Sequence, residues 1–81
     1  MEAQLQQSGR RVVGSKQVLR ALSNGIAATV FLAKDADEFI YRRIEAACEQ
    51  ANVPVIKVDT MQELGKKCLV GVKTAAAAAL K

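Results

Sequence analysis

Short apolar runs that alternate with amphipathic stretches predict an α/β sandwich with a mainly parallel sheet. Three observations carry this reading. Ala28 to Ala33 is almost continuously apolar and too short for an independent helix, as suits a strand covered on both faces. Val53 to Val58 is a second β-branched run. Between and around these runs, apolar residues return every three or four positions, the period of a helix lying on a core. The resulting order, strand then helix three times over, belongs to neither a barrel nor a helical bundle.

Glu2 to Ser8 is polar and compatible with a short helix, with only Ala3 and Leu5 to bury, and Gly9 ends it. Arg10 to Val13 reads as a brief strand between glycines. Gly14 then gives a sharp entry and Ser15 the N-cap of a helix that buries Val18, Leu19 and Leu22 and stops at Ser23-Asn24-Gly25. Ala28 to Ala33 is expected at the centre of the sheet. In the polar loop Lys34 to Asp37, one aspartate caps a second helix with Ile40, Ile44, Cys48 and Ala51 inward and a Glu38–Arg42 pair one turn apart. Asn52 ends that helix. Val53 to Val58 follows as a strand, its edge position suggested by Pro54 and Lys57. Thr60-Met61-Gln62-Glu63 has the form of a capping box and opens a short helix that Gly65 weakens or ends. Leu69 to Lys73 is an apolar loop around a glycine, and propensity reads the alanine-rich tail Thr74 to Lys81 as helix.

With 81 residues the chain makes one domain, 1–81, with room for one site. An apolar fraction of 51% beside 25% charged residues argues against disorder. No apolar run approaches the roughly 20 residues a bilayer needs, and the first ten residues lack the apolar stretch of a signal peptide, so a cytoplasmic protein without a membrane partner is expected. The net charge of +4 favours a polyanionic partner. Cys48 and Cys68 stand 20 positions apart, with no C-x-x-C and no histidine. Zinc-ligand spacing is therefore absent, both thiols are expected reduced, and the usual general base and histidine-activated nucleophile are missing. An enzyme is disfavoured, and no metal, cofactor or small-molecule substrate is implied. Asp35-x-Asp37 has the look of an acid pair, but two short acidic residues before a helix are more often cap and turn formers. The common nucleotide fingerprints are absent. Phe31, Phe39 and Tyr41 are the aromatic residues; with Phe31 expected in the core, no stacking platform of a general single-strand binder is evident.

The stretch Gly14 to Arg20 departs from what stability alone favours. A helix N-terminus carries partial positive charge and attracts Asp or Glu, yet this first turn holds Lys16 and Gln17, with Arg20 one turn on. Free amides and two cations suit a phosphate-bearing ligand, and Gln17 offers both donor and acceptor to a base edge. A merely solvated polar face is the alternative.

Gly14 to Arg20, Ala33 to Asp37, Asn52 to Val55 and Glu63 to Lys66 occur in the order and spacing of the kink-turn RNA-binding ribosomal protein family. The chain resembles a short bacterial member over residues 10 to 81. The resemblance implies a three-layer α/β/α sandwich with a mixed four-stranded sheet. It also implies a monomer, ribosomal-protein-like or ribosome-associated, that docks on structured RNA containing a kink-turn, a sharp bend with tandem sheared G·A pairs. It assigns RNA contact to Gly14, Ser15, Lys16, Gln17, Arg20 and Lys34, and it places Val70, Gly71, Val72 and Lys73 in an apolar loop over looped-out nucleotides. Archaeal and eukaryotic members usually carry Asn-Glu at Lys16-Gln17, and in the family a glycine is usual where Leu69 stands and an acid is common at Gly71. The resemblance makes the alanine tail the last strand, against its propensity. A small protein-interaction module using the loop 69–73 is the alternative function; its binding would depend weakly on salt, where RNA binding depends on it strongly.

Overall fold

The computed structural model of the protein describes residues 11–68 and 73–81. The expected helix over 2–8 and the loop positions Leu69 to Val72 lie outside these. Among the described residues the order is β1 (Arg11–Val13), α1 (Ser15–Ser23), β2 (Ala27–Ala33), α2 (Glu38–Ala51), β3 (Val55–Val58), α3 (Met61–Lys67) and β4 (Ala76–Leu80). The strands form one sheet in the order β1-β4-β2-β3.

The sheet is mixed, which corrects the mainly parallel arrangement read from the alternating pattern. Only β2 and β3 pair parallel, with Phe31 opposite Ile56. β4 runs antiparallel to both its neighbours, Ala78 lying opposite Val12 on one side and Val30 on the other. The cause is the tail: Ala76–Leu80 is a strand, not the helix its propensity predicts. Inserted between β1 and β2, it gains a hydrogen-bonded partner on each side, and tertiary pairing outweighs the preference of alanine for helix.

Side-chain alternation divides the core into two layers. Val30, Leu32, Ala76 and Ala78 point to one face, where Val18, Ala21 and Leu22 of α1 and Ile44 and Cys48 of α2 cover them. Phe31, Ala33, Ala77 and Ala79 point to the other, under Leu64 and Cys68 at α3. Three layers result, α1 and α2 over one face and α3 over the other. Small side chains on β4 leave room for the helices to approach on both sides.

Most local expectations hold. Asp37 is the aspartate that caps α2, accepting from the Phe39 and Ile40 amides at 3.0 and 3.3 Å. Arg42 meets Glu38 at 2.7 Å. Asn52 takes the left-handed conformation that closes α2. Thr60 Oγ1 accepts from the Glu63 amide at 3.0 Å. β3 is an edge strand with Lys57 exposed. Others differ: α3 runs through a buried Gly65 to Lys67, and Ala51 is exposed at the end of α2. Cys48 and Cys68 are free and buried on opposite faces of the sheet, so they do not pair. Burial, with the charge of Glu45 second, pushes the Cys48 thiol up to about 11; burial also raises Cys68, against the pull of Arg11. Neither is a thiolate near neutral pH.

Candidate nucleic-acid interface

Strand direction gathers the predicted residues. β4 opposes both β1 and β2, and β3 follows β2, so β1, β2 and β3 all point the same way. Each leads into a helix, and three helix starts therefore meet at one end of the sheet, where β4 also begins. Backbone hydrogen bonds join these segments. The Gly14 amide donates to the Ala76 carbonyl at 2.8 Å, Ala33 to Ala75 at 2.9 Å, Lys34 to Val58 at 2.8 Å and Thr74 to Met61 at 3.1 Å. Gly14, Ser15, Lys16, Gln17, Lys34 and Lys73 are thereby brought to one end, with Arg20 one turn along α1. Val70, Gly71 and Val72, predicted to contact RNA, fall outside the described residues.

The three starts are built differently. Asp37 and Glu38 place acid at the start of α2. At α3, Thr60 caps from within, and Asp35 Oδ1 accepts from the Met61 amide at 2.7 Å from across the end of the sheet. Both aspartates of the Asp35-x-Asp37 pair thus serve helix starts. Among the described residues no group of three or more His, Cys, Asp and Glu is placed to hold a metal ion.

At α1 the cap is Gly14, not Ser15 as expected, and among the described residues no side chain caps the helix. Gly14 sits at φ +104°, a conformation glycine enters without strain, and a Cβ there would meet nothing within 4 Å. Ser15 is already the first helical residue. No acid occupies the first turn. The first intrahelical bond runs from the Val18 amide to the Gly14 carbonyl at 3.0 Å, so the amides of Ser15, Lys16 and Gln17 precede the ladder. Lys16, Gln17 and Arg20 are exposed while Val18, Ala21 and Leu22 are buried, as the helical period requires. The start of α1 presents donors and positive charge with no carboxylate on that helix to offset them, a disposition suited to an anion.

Lys34 differs from the other predicted cations. Its ammonium lies 3.3 Å from Asp59, so part of its charge is offset. Lys73 is exposed where the chain returns toward β4. The sequence reading missed Phe39. Of the three aromatic residues, Phe31 is fully buried but Phe39 is 71% exposed. A signal was present: Phe39 precedes Ile40, the first residue of the buried stripe, by one position, and one position turns a side chain by about 100° around the axis.

Comparisons with known proteins place the chain as a whole. Residues 2–81 match the sequence profile of the ribosomal protein L7Ae/L30e/S12e/Gadd45 family. An RNA-binding protein of Geobacillus kaustophilus is 51% identical over 75 residues, spanning 93% of this chain and 92% of that one. The RNA-binding protein YbxF of Geobacillus stearothermophilus is 49% identical over the same shares. Among solved structures, the 15.5 kD RNA-binding protein of Giardia lamblia superposes with a TM-score of 0.87 at 28% identity, covering 99% of this chain and 67% of that one.

Proposed function

This chain belongs to the ribosomal protein L7Ae/L30e/S12e/Gadd45 family, and from that premise we propose that it is an RNA-binding protein that recognises kink-turns through the uncapped start of α1. The observation that carries the reading is the contrast among the helix starts: among the described residues, of three at one end of the sheet, that of α1 alone lacks a side-chain cap and an acid, and it bears Lys16, Gln17 and Arg20 instead. The relatives named as RNA-binding proteins support it.

In this reading Lys16 and Arg20 neutralise phosphates on either side of the bend, and the amides of Ser15, Lys16 and Gln17 take a phosphate oxygen or base acceptor. Gly14 lets the backbone come close, because it presents no side chain. Gln17 reads a base edge in the opened groove, where sheared pairs expose donors that a regular A-form duplex hides. Lys73 adds charge beside the loop carrying Val70, Gly71 and Val72, which is expected to cover the looped-out nucleotides. Lys34 contributes less than Lys16 and Arg20, since Asp59 competes for it. The protein works by binding alone, as a cytoplasmic monomer without catalysis, and shifts its RNA toward the bent state by the difference in affinity for bent and extended forms.

The test compares a hairpin containing a kink-turn with one whose G·A pairs are replaced by Watson–Crick pairs. The kink-turn hairpin is expected to bind at least tenfold more tightly, with affinity falling steeply as salt rises. Equal affinity for the two overturns the proposed specificity, and affinity insensitive to salt overturns the RNA reading.

A further inference from the structure

Resting on the RNA reading above, we propose that Phe39 and Arg43 of α2 form a second contact, in which the Phe39 ring stacks on an unpaired nucleobase flanking the bend and Arg43 takes the adjoining phosphate. The inference begins with an imbalance on α2. Its buried stripe runs through Ile44 and Cys48, yet Phe39, in the first turn, stays 71% exposed. The Asp37 cap, which accepts from the Phe39 amide, needs only the backbone of that residue.

The cations around α2 sort themselves. Arg42 is held by Glu38 at 2.7 Å. Lys57 is held by Glu45 at 2.7 Å and lies 4.9 Å from the centre of the Tyr41 ring. Arg43, one turn beyond Phe39, is exposed and meets no acid among the described residues. Phe39 and Arg43 thus share one face, as residues four apart on a helix do. An aromatic ring beside a free guanidinium is the combination that holds a splayed-out nucleotide, base against ring and phosphate against cation.

Position supports the same occupant. Arg43 precedes by one turn Ala47, which with Gln50 and Ala51 faces Leu19, Leu22 and Ser23 of α1 across an open groove. On α1, Lys16 precedes Leu19 by one turn, and Arg20 lies one turn past Lys16. α1 and α2 start at the same end and pack through one core, and packed helix axes stand about 8–10 Å apart. Toward the common start of the two helices, Lys16 thus lies one turn before the groove on α1, and Arg43 and Phe39 lie one and two turns before it on α2. Charge complementarity favours a polyanion over an apolar peptide there. The ring further selects an unpaired nucleotide, because in a duplex the faces of the bases are already stacked.

The experiment uses two kink-turn hairpins, one blunt and one carrying an unpaired extension with 2-aminopurine, and follows binding and fluorescence. Wild-type protein is expected to bind the extended hairpin about fivefold or more tightly than the blunt one, the range that one stacked base supplies, and to change the probe's fluorescence. Phe39→Ala and Arg43→Ala each remove that preference while binding the blunt hairpin as wild type does. Phe39→Tyr keeps it. Thermal unfolding of each variant shows whether the fold is intact, as the exposure of both side chains requires. If Phe39→Ala retains the preference, or if it weakens both hairpins alike, the proposed contact is overturned; if the wild type shows no preference, it is overturned in favour of a protein-facing patch. Lys16→Ala on the blunt hairpin separates the readings, since its loss of affinity supports the α1 site whatever Phe39 does.

Discussion

The start of α3 is closed twice over, by Thr60 from within and by Asp35 from the neighbouring loop, with Glu63 in its first turn. The start of α1 opens at the same end of the sheet with a glycine cap, no acid and a lysine. Both helices are short and both depend on packing against the same sheet, so the difference is not one of fold. A side-chain cap contributes about 1 kcal/mol, and withholding it from α1 gives up stability that one substitution would restore. Positions where local chemistry disagrees with folding are where function is to be sought. The α3 start stabilises the protein; in the proposed function the α1 start is the one that meets RNA.

The largest expected effect breaks the comparison on the binding side. Lys16→Ala and Arg20→Ala should each weaken binding of a kink-turn hairpin about tenfold, and the double variant about a hundredfold, near 2.8 kcal/mol if the two act independently. The slope of log affinity against log salt should fall by about one per residue that meets a phosphate. Both side chains are exposed, so the melting temperature should hold. Unchanged affinity in both single variants would move the site away from α1. Next comes Gly14→Ala, which forces a β-carbon onto φ +104°. Since the new atom meets nothing, the loss of about 2 kcal/mol is backbone strain alone, visible as a fall in thermal stability with weaker RNA binding. Stability equal to wild type would mean that the turn into α1 relaxes at no cost.

The capped starts supply the matched control. Asp37→Ala removes the acceptor for two amides and should cost about 1 kcal/mol, a drop of roughly 4–8 °C in melting temperature for a domain of this size. Affinity for the blunt kink-turn hairpin should not change. A large loss of RNA binding with intact stability would show that the α2 start contacts the RNA at the bend, and the distinction between closed and open starts would no longer hold.

Features legible in the sequence are those decided within a few residues: the Asp37 and Thr60 caps, the Glu38–Arg42 pair, Asn52 as a stop and the buried run of β2. The caps and the ion pair depend on spacings of two to four positions, Asn52 on its own conformational preference and β2 on a continuous apolar run, all of which the sequence displays directly. The basic opening of α1 was legible for the same reason. What could not be read depends on partners far along the chain. Ala76–Leu80 is a strand because β1 and β2 flank it, information that lies more than forty residues upstream. The ion pair that offsets Lys34 comes from Asp59, beyond an intervening helix and strand. Ser15 looked like the cap because its hydroxyl suits that role, but β1 carries the chain into α1 through Gly14, one residue earlier. The exposure of Phe39 turned on a single helical position.

The smallest expected effect is also the one in which stability and binding should move in opposite directions. Gln17→Glu places a carboxylate in the first turn of α1, where the other two helices already have Glu38 and Glu63. The uncapped amides and the helix dipole favour that charge, and an acid at an exposed helix start contributes about 0.3–1 kcal/mol. The protein should therefore become slightly more stable, with the gain shrinking as salt screens the interaction. Archaeal and eukaryotic members that carry Glu here pair it with Asn; following Lys16 in this chain, the carboxylate offsets the lysine's charge, repels phosphate and removes the amide donor of Gln17, so affinity for the kink-turn hairpin should fall. Gln17→Ala separates the two causes, because it lacks the donor without adding repulsion. If Gln17→Glu lowers stability, the amides at this start are already satisfied and the helix is not open as described. If it raises stability and leaves affinity unchanged, the start is open but RNA does not approach it, and the contrast with α3 would reflect only an unimproved helix.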